Sequence, residues 1–96
     1  MTLDQLRVQK RDAILMIAAR HGVTAVRDFG SFARGEAGPA SDLDLLIERG
    51  ARRTPFFPGG FIADLESELG RKVDVTSSSA LHPALRSRIL REAVAL

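Results

Sequence analysis

The run Asp42–Glu48, DLDLLIE, alternates aspartate with leucine over its first four residues and then continues as Leu45, Leu46 and Ile47. Alternation with a period of two marks a strand that turns one face to a core and the other to water, so this stretch commits the chain to a sheet. It places Asp42 and Asp44 on one face and Leu43 and Leu45 on the other. Aspartate is a poor strand former, and two of them where Val or Ile would serve the sheet better need a compensating reason.

Two further runs read as strands. VTAVRDF, from about Val23 to Phe29, is rich in β-branched and aromatic residues and leads into Gly30, and KVDVT turns Val73 and Val75 one way and Asp74 the other. Helices are expected between and around them. Thr2 and Gln5 have capping-box spacing, and Leu3, Leu6, Ala13, Ile14, Ile17 and Ala18 predict one helix ended by Gly22. Phe61, Ile62, Leu65 and Leu69 form a stripe that stops at Gly70, and Pro83 opens a last helix with Leu85, Ile89, Leu90 and Ala93 as its apolar face. SFARGE has the makings of one helical turn capped by Ser31, and GEAGPAS then reverses the chain. RGARRTPFFPGG reads as a loop, with Phe56 and Phe57 covering the edge of the core or contacting a partner, and Arg52 and Arg53 serving solubility or partner contacts. The order αβ(α)βαβα predicts a small α/β or α+β layer fold, a short mixed sheet flanked by helices.

Ninety-six residues close one modest core, so residues 1–96 are expected to form a single domain, and a chain this short gains from a partner or from self-association. Fourteen Lys and Arg against twelve Asp and Glu leave a net charge of +2, too little to imply direct nucleic-acid binding. Twelve of the fourteen cations are arginine, whose planar fork suits phosphate and carboxylate, although a GC-rich genome gives the same bias without any functional cause. With no cysteine, disulfide frameworks and thiolate metal sites are excluded. No window approaches the ~20 apolar residues of a membrane helix, and the polar start MTLDQLRVQK is unlike a signal peptide. A cytoplasmic protein is the expectation.

Side chains two apart on a strand share a face with Cα atoms about 7 Å apart, so Asp42 and Asp44 can converge on a divalent cation. Acidic pairs on wet strand faces are common, and the pair alone decides nothing. Gly30 and Ser31 add to it. A glycine at a strand end admits a phosphate close to the backbone, and the serine after it offers a hydroxyl and an N–H. Four such positions at this spacing arise by chance in a chain of this length with odds on the order of one in a thousand.

The stretch GSFARGEAGPASDLDLLIE resembles the Gly-Ser, ten residues, Asp-x-Asp signature of the DNA polymerase beta-like nucleotidyltransferases, and more narrowly their minimal nucleotidyltransferase (MNT) domains. The likeness continues through LGRKVDVTSSSALHPALRSRILREAV and so covers roughly residues 24 to 96; TSSSALHP is more serine-rich than is usual in such domains. The resemblance implies a magnesium-dependent transferase using ATP, with Gly30 and Ser31 holding the triphosphate and Asp42 and Asp44 binding two magnesium ions. Asp74 would be the third carboxylate; without the resemblance it is simply a polar-face residue. Arg34 lies one short turn past Ser31 and is open to two readings, a contact to β- or γ-phosphate or a solvated side chain.

MNT domains are often encoded beside a helical HEPN toxin, which implies a HEPN partner that this chain silences by AMPylating a hydroxyl, most naturally a tyrosine. The chain has no tyrosine of its own. Two alternatives stand: a binding module that neutralises its partner sterically with little or no transfer, and a transferase acting on a small molecule or an RNA end. His21 before Gly22 reads as a helix C-terminal histidine, and His82 as part of the start of the last helix.

Overall fold

Thr2 opens the first helix, α1 (Leu3–Gln9), with the expected reciprocal capping box: the Gln5 N–H donates to Thr2 Oγ1 and the Thr2 N–H to Gln5 Oε1. The computed structural model describes residues 2–36, 38, 41–50 and 57–96. The single N-terminal helix expected from periodicity is instead two, because the chain breaks at Lys10 (φ −121°) before α2 (Arg11–Arg20). Nothing local forces this, since neither Gly nor Pro is near. Leu6 and Ile14 are both fully buried, and on one straight helix they would point about 80° apart, so the break turns both toward one core.

After Gly22 the chain enters β1 (Val23–Phe29), at the boundaries expected. A bulge between Val23 and Ala25 shifts its phase, which lets Val23 and Val26, three apart, both face the core together with Asp28. β2 (Leu43–Arg49) pairs with it antiparallel, and β3 (Val73–Ser77) lies parallel to β2 on the other side. That parallel pair needs a crossover, supplied by α3 (Gly59–Leu69), which buries Phe61 and Leu65 and ends at Gly70 in the left-handed conformation (φ 65°).

A short 3-10 turn (Ser78–Ala80) leads to α4 (Pro83–Glu92), started as expected by Pro83, with His82 Nδ1 accepting from the Ala84 N–H. The apolar face expected for this helix meets no core. None of its residues is buried, and Leu85 is 50% exposed. A fourth strand that the sequence did not announce, β4 (Val94–Ala95), then pairs antiparallel with Arg27 and Asp28 of β1, giving the sheet order β3-β2-β1-β4.

Leu6, Ile14, Ile17, Phe32, Leu43, Leu45, Ile47, Phe61 and Leu65 lead the core between the sheet and helices α1 to α3. At about 25 cal/mol per Å² of apolar area buried, each such large side chain contributes roughly 1.5–3 kcal/mol. Phe57 packs against this core, stacked on Phe61 with centroids 6.0 Å apart and carrying the Arg49 guanidinium 4.1 Å above its ring. Phe56, Arg52 and Arg53 lie outside the described residues. His21 ends α2 and ties it to α3 through a 2.7 Å contact from Nε2 to Asp64. No helix among the described residues is long and apolar enough to cross a membrane.

Candidate active site

The alternation of β2 sends Leu43 and Leu45 into the core and leaves Asp44 half-buried on the opposite face, as its sequence requires. That second face is not uniformly wet, because Leu46, flanked in register by Arg27 and Thr76, is also buried. Asp42 sits one residue ahead of the strand. Asp74 is the register partner of Asp44 across the parallel ladder, and neighbouring strands stand about 4.8 Å apart, so the two carboxylates are side by side on one face.

β1 delivers Gly30 to the same place. Gly30 has φ +71°, and a Cβ built on it would lie 2.5 Å from Asp44 Oδ2, so the Asp44 carboxylate rests against the bare glycine backbone. Both constraints point to glycine: the left-handed backbone and the absence of room. Beyond it the chain makes consecutive turns rather than the helical turn Ser31 might have capped, with Arg34 N–H bonded to Gly30 O (3.1 Å) and Glu36 N–H to Ser31 O (2.8 Å). Phe32, 1% exposed, plugs this turn into the core. Sequence reasoning passed over Phe32, although one large apolar residue among turn formers is a signal that the turn is anchored.

Charge accumulates here. The Asp44 carboxyl is raised above its ordinary value, first by burial and then by repulsion from Asp74 and Asp42, with Arg34 opposing. Arg34 itself donates to Glu36 at 3.1 Å, and Asp42 faces the exposed Lys72 ammonium at 3.9 Å. As the side chains stand, no three carboxylate or imidazole groups among the described residues are gathered tightly enough to share one metal ion. The donor set nonetheless fits a hard divalent cation: oxygen ligands alone, adjacent in register, with Asp44 held against two like charges that a cation would offset.

A cavity of about 370 Å³ lies elsewhere, at the far ends of β2 and β3, lined by Thr24, Glu48, Arg49, Gly50, Ser77, Ser78 and Ser79. Its walls are hydroxyls and one acid and one base, and it shares no residue with the acidic end. Ser77 lies three positions along the strand from Asp74, about 10 Å, so the serine cluster stands away from the carboxylates.

Residues 11–96 match the family described as nucleotidyltransferase domain. A protein of Methanocaldococcus jannaschii that carries the name protein adenylyltransferase is 41% identical over 81 residues, spanning 84% of this chain and 87% of its own length. The protein adenylyltransferase MntA of Thermococcus cleftensis is 35% identical over 77 residues, spanning 78% and 76%. Among solved structures, a minimal nucleotidyltransferase superposes with a TM-score of 0.86 at 47% identity, covering all of this chain and 97% of the other. A toxin–antitoxin structure with AMP-PNP shares the fold at a TM-score of 0.75 and 16% identity, covering 90% and 71%. Sheet order, the Gly-Ser turn and the acidic strand thus occur together in a chain that belongs to the nucleotidyltransferase domain family, in its minimal form.

Proposed function

We propose that this chain transfers AMP from ATP to a hydroxyl of a second protein, most naturally a tyrosine of a helical HEPN toxin, and so acts as the antitoxin of a pair. The observation that carries the reading is the convergence of Gly30, Asp44 and Asp74 on one face at one end of the sheet. Support for the protein acceptor comes from relatives that carry the name protein adenylyltransferase. Support for the toxin partner and for ATP comes from a fold neighbour described as a toxin–antitoxin with AMP-PNP.

In this reading Gly30 and Ser31 receive the triphosphate, the glycine by close backbone approach and the serine through its hydroxyl and N–H. Asp42, Asp44 and Asp74 would hold magnesium, which when bound stabilises charge on the entering and leaving oxygens. The acceptor oxygen attacks the α-phosphorus, the bond to the bridging oxygen of the β-phosphate breaks, and pyrophosphate leaves. The hydroxyl proton passes to the Asp74 carboxylate, which is exposed and so able to hand it to solvent. Arg34 is placed to act on phosphate once it exchanges Glu36 for that partner.

The acceptor is expected in trans, because the chain lacks tyrosine and its serine cluster lines a cavity at the other end of β3. Intact-mass spectrometry of the chain with ATP and magnesium, alone and with its genomic neighbour, tests this. A gain of one AMP on the neighbour alone is the expected result, and a gain on this chain alone would replace the trans mechanism with self-modification. The steric alternative is separated by Asp44→Asn, which abolishes silencing if transfer is the means and preserves it if binding is.

A further inference from the structure

The two halves of the candidate site are the Gly30–Ser31 turn and the Asp42–Asp44 strand entry. The β1–β2 ladder sets Gly30 against Asp44 through the pairing of Phe29 with Asp44, but it ends there, and Ser31, Phe32, Ser41 and Asp42 lie beyond its last pair. α3 ends at Gly70 in the left-handed conformation, and the chain then turns back through Arg71 and Lys72 into β3. Arg71 is half-buried there. Its Nη1 donates to Ser41 O at 2.9 Å, one residue before Asp42, and its Cζ lies 5.0 Å from the centroid of the Phe32 ring, one residue after Ser31. Among the described residues it forms no ion pair with a carboxylate.

The guanidinium therefore touches both halves at once and neither through its charge on an acid. A cation on a long stem suits this double duty, since one N–H donates to the carbonyl while the charge stands over the ring. Ser41 is itself tied to Gly38, its N–H bonded to Gly38 O and its hydroxyl accepting from the Gly38 N–H. Leu43 N–H donates to Lys72 O, so the residue after Arg71 pins the strand just beyond Asp42. Lys72, by contrast, reaches Asp42 only across 3.9 Å with 69% of its side chain exposed, a pairing of the kind that contributes little.

We infer that Arg71 is a positioning residue that sets the phosphate turn against the carboxylate strand by bridging Phe32 and Ser41. The inference rests on the transfer reading above for its catalytic consequence, while its structural content stands apart from it. Without the bridge the ladder still holds Gly30 against Asp44, but Ser31 and Asp42, beyond its end, lose their common anchor. The turnover step then suffers more than nucleotide binding, because misplacement by about 1 Å costs up to about 100-fold in rate.

The test compares Arg71→Met, which keeps the stem and loses the fork, with Arg71→Lys, which keeps a cation able to reach the Ser41 carbonyl and the ring. Hydrogen exchange in the chain without nucleotide reports the bridge itself. In Arg71→Met the amides of Arg34 and Glu36, bonded to Gly30 O and Ser31 O, and that of Ser41, bonded to Gly38 O, are expected to exchange about 10-fold faster while the β1–β2 ladder is unchanged. In transfer assays kcat falls about 30-fold with the KM for ATP moved less than about 3-fold, and Arg71→Lys restores most of the loss. Unchanged exchange at both segments overturns the inference, as does faster exchange spread evenly over β1 to β3 or a loss of kcat that lysine does not restore. If the wild-type chain transfers nothing, the functional reading falls, and the exchange comparison still decides whether Arg71 couples the two segments.

Discussion

Asp28 and Asp44 lie on adjacent strands and answer to opposite solvents. In the β1–β2 ladder Asp28 stands across from Leu45 and Asp44 across from Phe29, so a one-residue offset sends the first carboxylate to the helix side and the second to the open face. Asp28 is fully buried, neither oxygen has a hydrogen-bond partner among the described residues, and burial, opposed by Arg7, pushes it up to about 7. Asp44 is raised as well, again first by burial, but then also by the carboxylates of Asp74 and Asp42. A cation arriving from solvent offsets the second penalty and cannot reach the first. Shifted carboxylates are thus no guide to function unless the source of the shift is accessible to a ligand.

The contrast breaks most sharply at Asp44. Asp44→Asn is expected to lower transfer about 1,000-fold or more with the fold retained, since it removes a proposed metal ligand from a polar face without opening a cavity. Label from α-³²P-ATP followed onto the partner checks this, and a wild-type rate would remove Asp44 from the site. Gly30→Val comes next, because φ +71° and the 2.5 Å approach to Asp44 Oδ2 both oppose a side chain. Titration with a nonhydrolysable ATP analogue and magnesium is expected to show affinity reduced about 100-fold, a strained turn and a displaced carboxylate acting together. Asp74→Asn is expected to slow turnover about 30-fold while changing ATP affinity by less than about 3-fold. By removing one repelling charge it also lowers the Asp44 carboxyl toward its usual range, which a pH profile of analogue binding reads.

Asp28→Asn moves stability and leaves transfer unchanged. The native carboxyl titrates near 7 against 3.8 for the free group, so between those values the folded state binds the extra proton and stability falls as pH rises. Below about pH 4 both states are protonated and no penalty exists, and above about pH 7 the penalty is complete, up to about 4 kcal/mol by linkage. Asparagine escapes it but keeps an unpaired buried amide, so the net gain is expected to be about 1–2 kcal/mol at pH 8 and to vanish by about pH 5. Melting curves at both pH values decide, and equal gains at the two would mean that Asp28 is not buried as an acid.

How far the sequence foretold these two positions depends on the period that carries each. Asp42 and Asp44 announced themselves because they interrupt an aliphatic alternation, and β3 placed Asp74 by the same rule. Asp28 sat in a run read as a strand, but the bulge between Val23 and Ala25 resets the phase, and a bulge leaves no mark in composition. The break at Lys10 is likewise tertiary, dictated by where Leu6 and Ile14 must point. β4 is two residues long and has no period to detect, and the α4 stripe, real as a pattern, says only that the helix is amphipathic, not that this chain supplies its cover. Arg71 had no signal at all, since its partners are a backbone carbonyl and a ring brought near by the fold.

The two-residue strand β4 also orders events in time. Joining Arg27 to Ala95 and Asp28 to Val94 closes a loop of nearly seventy residues for a handful of bonds, among them Leu96 N–H to Val26 O and Arg7 to Ala95 O. Contacts so distant in the chain and so few form late and open early. Cross-strand partners share a face, so Val94 stands beside Asp28, and a frayed β4 is expected to uncover one side of that buried carboxyl. Because burial raises the Asp28 carboxyl, an alkaline medium is expected to favour the open edge, which hydrogen exchange at Val94 and Leu96 across pH reads.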